Sequence, residues 1–120
     1  MSWSSPTAWV RGNSDGLPER GGVYELLVKQ TDGSGKRGYV GKGADTKERF
    51  QTHLLASESN GCLRDYLSGR YTVWFRYALF ASPDDRADAE QALWDKHRHK
   101  CNEVRPAGSG RGYGVEIVEE

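Results

Sequence analysis

The stretch of residues 22–41 constrains the fold of this chain most, because two β-strand patterns flank a turn within it. Its first half carries apolar side chains at every second position, a period typical of a half-buried strand: Tyr24, Leu26 and Val28. Residues 31–35 hold Gly, Ser and Asp, which predicts a turn. The second half ends in Tyr39-Val40-Gly41. We therefore predict a β-hairpin with a loop longer than two residues and with one tyrosine near a glycine on each strand.

The next part of the chain predicts two helices. Asp45 suits a helix N-cap, and Glu48 three residues later completes the pattern of a capping box. We expect this helix to continue to about residue 57. A loop then leads to a short second helix around residues 62–67.

A third strand and a last helix complete the expected domain. Residues 71–81 carry apolar side chains on both faces, which indicates a strand in a sheet that is covered on both sides. The Ser82-Pro83-Asp84 sequence predicts the start of a helix that continues to about His99. The expected fold is α+β, with a small three-stranded antiparallel sheet flanked by helices.

Both ends of the chain have weaker patterns. We expect residues 1–20 to be an irregular lead-in and residues 21–120 to form a single domain. Residues 105–114 contain four glycines and two arginines, which predicts a mobile basic loop. The apolar residues beyond it, Val115, Ile117 and Val118, could add a short edge strand.

Composition bounds the location of the protein. The first twenty residues contain no apolar run of the kind that a secretory signal or a membrane span needs, so we expect neither. The two cysteines, Cys62 and Cys101, are too few for a disulfide framework. We expect them to be free thiols and the protein to be cytoplasmic.

The charge balance argues against binding of nucleic acid by bulk electrostatics alone. The chain has 17 Lys and Arg and 17 Asp and Glu, so its formal net charge is zero. Phosphate contacts need a local concentration of basic residues. Residues 96–111 supply such a concentration, with five basic residues and one acidic residue, so overall neutrality can conceal a basic surface.

At this point several residues in order resemble the GIY-YIG nucleases. Gly22-Val23-Tyr24 and Tyr39-Val40-Gly41 resemble the two name-giving tripeptides, with Val in place of Ile in both. Arg49 lies ten residues after Tyr39, Glu90 lies in the last predicted helix, and Asn102 follows twelve residues later. The resemblance covers about residues 21–103. Within this family, the chain is especially similar to the N-terminal nuclease domain of the bacterial nucleotide-excision-repair incision subunit.

The resemblance implies hydrolysis of a DNA phosphodiester with one divalent ion, Mg²⁺ or Mn²⁺. Glu90 would be the metal ligand, since hard cations take oxygen ligands. The metal would polarise the phosphate and stabilise the leaving oxygen. Arg49 would neutralise charge that develops on the phosphate, because its forked donors match phosphate oxygens.

The tyrosines and their neighbours would complete the implied site. Tyr24 is implied as the general base, although its ordinary pKa of about 10 requires a nearby cation such as Lys42 to lower it. Whether Tyr24 is the base or only positions a water held by the metal stays open. Tyr39 would orient water or phosphate, and Asn102 would buttress the site. His53, one turn after Arg49, is a further candidate.

Contact with DNA is expected from the basic residues Lys42, Arg49, Arg105 and Arg111. The catalytic core alone offers little surface for reading sequence, so structure-directed or weakly sequence-specific cleavage is expected. Two alternatives are a catalytically silent DNA-binding or protein-interaction module with the same fold, and a nuclease that needs a protein partner for substrate recognition. The residues give no oligomeric state and no biological pathway.

A structural zinc site is a competing interpretation of the last predicted helix. His97, His99 and Cys101 alternate along the chain, and Cys62 could be a fourth ligand. Their spacing fits none of the common paired-ligand patterns, so a basic surface facing DNA is the preferred interpretation of this segment.

Overall fold

A computed structural model describes residues 1–29, 35–55 and 58–110, together with residues 115, 117 and 119. The predicted turn at residues 31–35 therefore lies outside the described residues except for its last position. Arg111 and Val118 lie outside them as well.

An antiparallel sheet of four strands forms the centre of the molecule, in the order β1-β4-β2-β3. The strands are β1 (Thr7–Ala8), β2 (Gly22–Lys29), β3 (Gly35–Gly43) and β4 (Val73–Leu79). The predicted α+β class and the antiparallel sheet are confirmed. The predicted number of three strands is wrong, because Thr7 and Ala8 of the lead-in pair with Phe75 and Trp74 of β4.

The hairpin of β2 and β3 sets the positions of the two tyrosines. Tyr24 lies directly opposite Gly41, and Leu26 lies opposite Tyr39. The register shifts between Leu26 and Leu27, which marks a bulge at the side of Tyr39 that is nearer the turn. Side chains of alternate residues point to opposite faces of a sheet, so Tyr24, Leu26 and Val28 share one face.

Three helices follow the sequence signals closely at their starts. α1 (Thr46–His53) begins after Asp45, whose side chain accepts a hydrogen bond from the Glu48 N–H at 3.0 Å, as the capping box predicts. α2 (Gly61–Tyr66) begins after Asn60, and α3 (Pro83–His97) begins after Ser82.

The end of α1 differs from its prediction. The helix ends at His53 rather than near residue 57, and the Leu54 and Leu55 N–H groups bond to carbonyls three residues back. The His53 side chain is buried and bonded, so the chain turns away there in order to hold it.

The core has two parts, one on each face of the sheet. Trp9, Tyr24, Phe50 and Phe75 lie among the buried residues on the face covered by α1 and α2. On the other face a smaller cluster packs under α3: Val23, Val40, Ala78, Ala89 and Leu93. This confirms the expectation of a sheet that is covered on both sides.

The lead-in contributes to the core through Trp9, which is 1% exposed. Its indole N–H donates to the Phe50 carbonyl at 3.0 Å, and its ring stacks on the Phe50 ring at 5.8 Å. The same ring makes edge contacts with Tyr24, His53 and Phe75. The segment that lacks regular periodicity thus supplies the central aromatic residue beneath the hairpin.

The segment after α3 is fastened to the domain. Cys101 and Cys62 form a disulfide, so the expectation of free thiols is wrong. The described residues 105–110 of the predicted mobile loop have contacts to α3: Gln91 donates to the carbonyls of Pro106 and Ala107, and Asp88 accepts from the Ser109 N–H. The mobility of this loop stays a prediction. Val115 and Ile117 lie in no strand.

Among the described residues, none of the helices is both long enough and apolar enough to cross a lipid bilayer.

Candidate active site

Two glycines of β3 make room for the side chains at the centre of the site. A methyl group at Gly41 would collide with the Tyr24 ring, and one at Gly43 would meet the Arg49 side chain. Both glycines have ordinary backbone angles, so their role is space rather than conformation. The glycine of the second tripeptide is therefore required because a tyrosine of the first tripeptide lies across from it.

The Tyr24 hydroxyl is the hub of a buried hydrogen-bond network. It lies 2.6 Å from Nε2 of His53 and accepts from Nε of Arg49 at 3.3 Å. Nη2 of Arg49 lies 3.2 Å from the same His53 nitrogen. Arg49 and His53 are one turn apart on α1, so helix geometry brings both to the hydroxyl of a residue on β2.

Glu58 extends this network to a carboxylate. Its Oε2 lies 2.6 Å from Nδ1 of His53, and its Oε1 accepts from the Asn60 N–H at 3.0 Å. Glu58 is not among the site residues that the sequence predicts. No motif marks it, since it lies in the connection between α1 and α2, and only the fold brings it to His53.

The pKa of Tyr24 is shifted far above its usual range. Burial is the main cause and Tyr39 adds to it, while the charge and hydrogen bond of Arg49 oppose it. Lys42 is exposed, and its charge lowers the pKa of Glu90, while its expected effect on Tyr24 stays a prediction. Tyr24 therefore holds its proton firmly unless a neighbour takes it.

The pKa values of His53 and Glu58 both lie below their ordinary values. Burial and the charge of Arg49 lower the pKa of His53, although the hydrogen bond to Glu58 opposes them. Burial raises the pKa of Glu58, but the hydrogen bonds from Asn60 and His53 outweigh it. The pair at neutral pH is therefore a neutral imidazole beside an ionised carboxylate.

Glu90 reaches the site from the middle of α3. Burial raises the pKa of its carboxyl to about 7, although the charges of Lys42 and Arg49 lower it. The carboxylate makes no hydrogen bond or ion pair with another described residue within the usual distances. Glu90 is half-buried and lines the cavity described below, and a carboxylate there with a raised pKa and no direct partner among the described residues is a candidate functional group.

Tyr39 completes the aromatic wall of the site. Its ring centroid lies 6.2 Å from that of Tyr24 and 5.5 Å from that of His53. Burial and the charge of Glu90 raise the pKa of its hydroxyl.

Asn102 acts on the backbone of β3. Its side-chain oxygen accepts from the Val40 N–H at 3.0 Å, and its amide group donates to the Val40 carbonyl at 2.9 Å. These two hydrogen bonds hold the chain after α3 beside the strand that carries Tyr39. The predicted role as a buttress agrees with this position.

The other predicted residues lie apart from the centre. Arg105 makes two hydrogen bonds to the carboxylate of Asp95, at 2.8 and 2.7 Å, so its guanidinium already has an anionic partner. Arg111 lies outside the described residues.

The four residues of the zinc alternative have other partners. His97 bonds to Glu119 at 2.7 Å, His99 bonds to Glu25 at 2.6 Å, and Cys62 and Cys101 are bonded to each other. A zinc site made of these side chains does not fit this arrangement, since a disulfide sulfur is not a thiolate ligand.

An open cavity of about 680 Å³ collects most of the predicted residues. Its walls come from β3, α1, the connection after α1, the middle of α3 and the segment after α3. They comprise Tyr39, Arg49, Thr52, His53, Glu58, Ser59, Asn60, Glu90, Asn102, Glu103, Val104 and Pro106. Tyr24 lies beneath this cavity, in contact with Arg49 and His53, and neither Lys42 nor Arg105 lines it.

Comparisons of the chain with protein-family models, with curated proteins and with solved structures found no match. The resemblance to GIY-YIG nucleases thus stays a prediction that rests on the residues named above.

Proposed function

We propose that the protein is a metal-dependent DNA endonuclease of the GIY-YIG type, which hydrolyses a phosphodiester bond. One observation carries the proposal: Tyr24, Arg49 and His53 form a single hydrogen-bonded group at the floor of an open cavity, and Glu90 lies in its wall. This arrangement supports the proposal, because a proton acceptor, a cation that suits phosphate and a carboxylate that suits a metal would lie near one space.

Glu90 is the residue that would hold the divalent ion. Its carboxylate is the hard oxygen donor that Mg²⁺ or Mn²⁺ prefers, and such ions keep several waters and need few protein ligands. The raised pKa of Glu90 and its lack of a direct partner among the described residues fit this role, because a cation would supply the missing counter-charge. When bound, the metal supplies electrophilic activation of the phosphate and stabilises the leaving oxygen.

Arg49 would stabilise the negative charge that develops on the phosphate. Two of its N–H groups bond to Tyr24 and His53, which holds the guanidinium in one orientation at the cavity. Its remaining donors suit the oxygens of a phosphodiester. A donor that is fixed before the reaction stabilises the transition state without a cost of reorganisation.

Tyr24 and His53 would act together as the base. Because burial disfavours a free phenolate, Tyr24 has to give its own proton to His53 as it accepts one from the attacking water. The distance of 2.6 Å between the hydroxyl and Nε2 allows this transfer. The water oxygen would form the new P–O bond while the P–O bond to the leaving 3′ oxygen breaks. The water proton would end on Tyr24 and the Tyr24 proton on His53, which ends the step as an imidazolium, and the leaving oxygen would depart as an anion that is protonated from solvent. This assigns His53 a direct role, which the sequence leaves as one candidate.

The substrate preference would be structure-directed or weakly sequence-specific. The chain has no net charge, and Arg105 is paired with Asp95, so its guanidinium is already held by a carboxylate. Affinity from phosphate contacts requires several Lys and Arg side chains. Recognition by a protein partner is therefore part of this proposal.

A cytoplasmic location stays a prediction. The disulfide between Cys62 and Cys101 argues against it, because such bonds are rare in reducing compartments.

A silent DNA-binding or protein-interaction module is the second candidate function. The neutral net charge favours interaction with a protein over nucleic acid. The raised pKa of Tyr24 favours a module without catalytic activity, because it opposes loss of the Tyr24 proton. In that case the hydrogen bonds of Tyr24, Arg49 and His53 would only stabilise the fold.

Cleavage of supercoiled plasmid and of branched DNA tests the first candidate. We expect cutting with Mg²⁺ or Mn²⁺, none with chelator, and loss of cutting by at least about a hundredfold in Glu90→Ala. Asp84→Ala is the matched control, because it removes an exposed carboxylate from the first turn of the same helix. DNA binding without cutting by the wild type on every substrate would favour the silent module and contradict the nuclease.

A further inference from the structure

Glu58 has a defined place in the network although no sequence motif includes it. It lies between α1 and α2, and only 11% of its side chain is exposed. One carboxylate oxygen meets Nδ1 of His53 at 2.6 Å, and the other accepts the Asn60 N–H at 3.0 Å. Both oxygens are therefore bonded, and the carboxylate has one orientation.

The hydrogen bonds around His53 determine which of its nitrogens carries the proton. An arginine side chain can only donate, so the 3.2 Å contact from Arg49 requires a lone pair on Nε2. The proton of a neutral imidazole then lies on Nδ1, where the ionised Glu58 accepts it. Nε2 is left as the acceptor that faces the Tyr24 hydroxyl.

We propose that Glu58 is a positioning residue that holds His53 in the Nδ1–H tautomer and balances the charge of its imidazolium. The part of this inference that concerns the reaction rests on the proposed nuclease function. In the reaction, the Tyr24 proton moves to Nε2 of His53 while the Nδ1–H bond to Glu58 stays in place. No proton has to leave the site during this step, so Glu58 stays ionised throughout.

The groups that face His53 come from several elements, and Trp9 of the lead-in, which packs against its ring, is uncharged. Tyr24 from β2 and Tyr39 from β3 are neutral, Arg49 of its own helix α1 opposes a positive imidazolium, and Glu90 of α3 lies across the cavity. Among the described residues, Glu58 is the one carboxylate that bonds directly to His53. The negative charge of Glu58 therefore balances the repulsion between Arg49 and a positively charged His53, so that the imidazolium can form here.

The support of Glu58 reaches into the rest of the fold. Asn60, which bonds to Glu58, also donates from its side chain to the Cys101 carbonyl at 2.7 Å. Cys101 is joined to Cys62 on the first turn of α2. The residue that bonds to Glu58 is thus itself tied to the chain after α3, and such support is what an orienting group requires.

The nitrogen shifts of His53 measured by ¹⁵N NMR test the inference without any assay of activity. We expect the wild type to show the Nδ1–H tautomer. In Glu58→Gln we expect a mixed tautomer and a lower titration midpoint for His53, because the carboxylate favours the charged imidazole. His97 and His99 serve as internal controls, since their partners Glu119 and Glu25 are unchanged.

The cleavage rate of Glu58→Gln provides the second measurement. We expect a loss of roughly 10- to 100-fold, the range typical of a lost orienting hydrogen bond, with little change in DNA binding. Glu48→Gln is the matched control, since it makes the same change at an exposed position of α1. Circular dichroism establishes whether the variant is folded. If it is not, the tautomer of His53 in the wild type, measured by NMR, decides whether Glu58 has the proposed role.

The outcomes separate this inference from the function on which it rests. An Nε2–H tautomer in the wild type, or a Glu58→Gln protein that cuts at the wild-type rate, would overturn the role of Glu58. A wild type that never cuts DNA would overturn the nuclease function, while the NMR measurement would still decide whether Glu58 orients His53. Restoration of part of the activity by Glu58→Asp would support a requirement for the charge.

Discussion

At the scale of single residues, Glu90 is under opposite demands from stability and from the proposed chemistry. Its folded pKa of about 7 lies above the ordinary value of 4.5, so the folded protein binds this proton more tightly than the unfolded chain does. The stability that the protonated form contributes is present below pH 4.5 and is lost as the pH rises through 7. A metal ligand must be ionised, so the form that serves catalysis is the less stable one.

Glu90→Gln should therefore gain stability and lose activity. Because Gln resembles the protonated form, we expect the variant to exceed the wild type at pH 8 by on the order of 1–3 kcal/mol in free energy of unfolding, and by little at pH 4. Urea unfolding at the two pH values measures this difference. Adding Mg²⁺ at pH 8 should raise the Tm of the wild type only.

Glu48→Gln is the control for this prediction, because it replaces an exposed carboxylate that lies outside the cavity. An equal gain in both variants at pH 8 would mean that general charge repulsion, rather than the burial of Glu90, is responsible.

At the scale of elements, the disulfide connects two segments that line the cavity. Cys62 is the second residue of α2, two positions after the N-cap Asn60, and Cys101 immediately precedes Asn102. The Cys101 N–H also donates to the Gly38 carbonyl on β3 at 2.6 Å. The bond thereby joins the rim of the site near Glu58 to the strand that carries Tyr39.

Removal of the disulfide should cost stability first and activity second. Its cysteines are 39 residues apart, a separation for which the chain-entropy treatment gives about 4 kcal/mol. We expect the reduced protein and the double variant Cys62→Ser, Cys101→Ser to unfold at lower urea concentration and to cut DNA more slowly. Urea midpoints with and without dithiothreitol provide the measurement.

The double variant is also the control, since it should not respond to dithiothreitol. A wild type whose midpoint is unchanged by complete reduction, verified by thiol titration, would show that the remaining contacts hold these segments without the bond.

At the scale of the whole molecule, the lead-in is part of the core that supports the site. Trp9, the residue directly after β1, touches Tyr24, His53, Phe50 and Phe75, so one side chain of the lead-in contacts two members of the proposed base network. It therefore couples the start of the chain to the geometry of the cavity floor.

Trp9→Ala should destabilise the protein by about 3–5 kcal/mol, the usual cost of truncating a buried aromatic residue. Val10→Ala is the matched control, because its side chain is 52% exposed and should change stability by less than about 0.5 kcal/mol. Urea unfolding measures both. Similar losses in the two variants would mean that the lead-in does not pack on the core in solution.

Local patterns account for what is predictable here. The capping of α1 by Asp45 depends on residues within three positions, and the alternation in β2 depends on near neighbours, so both are visible in the sequence. The pairing of Thr7 with Phe75 and the bond between Cys62 and Cys101 depend on residues far apart in the chain. No periodicity encodes such contacts, and for this reason the fourth strand and the disulfide are missed.

In the candidate site, too, some features follow from the sequence and others depend on the tertiary structure. Arg49 and His53 share a helix face by spacing alone, and Tyr24 and Tyr39 lie on paired strands, so the sequence by itself determines which residues could meet. Only the tertiary structure decides how they meet, because burial sets the pKa values of Tyr24 and Glu90 and the path of the chain after α1 brings Glu58 to His53. The physical reason is that hydrogen-bond partners and desolvation are properties of three-dimensional packing, whereas the order of residues fixes only faces and spacings.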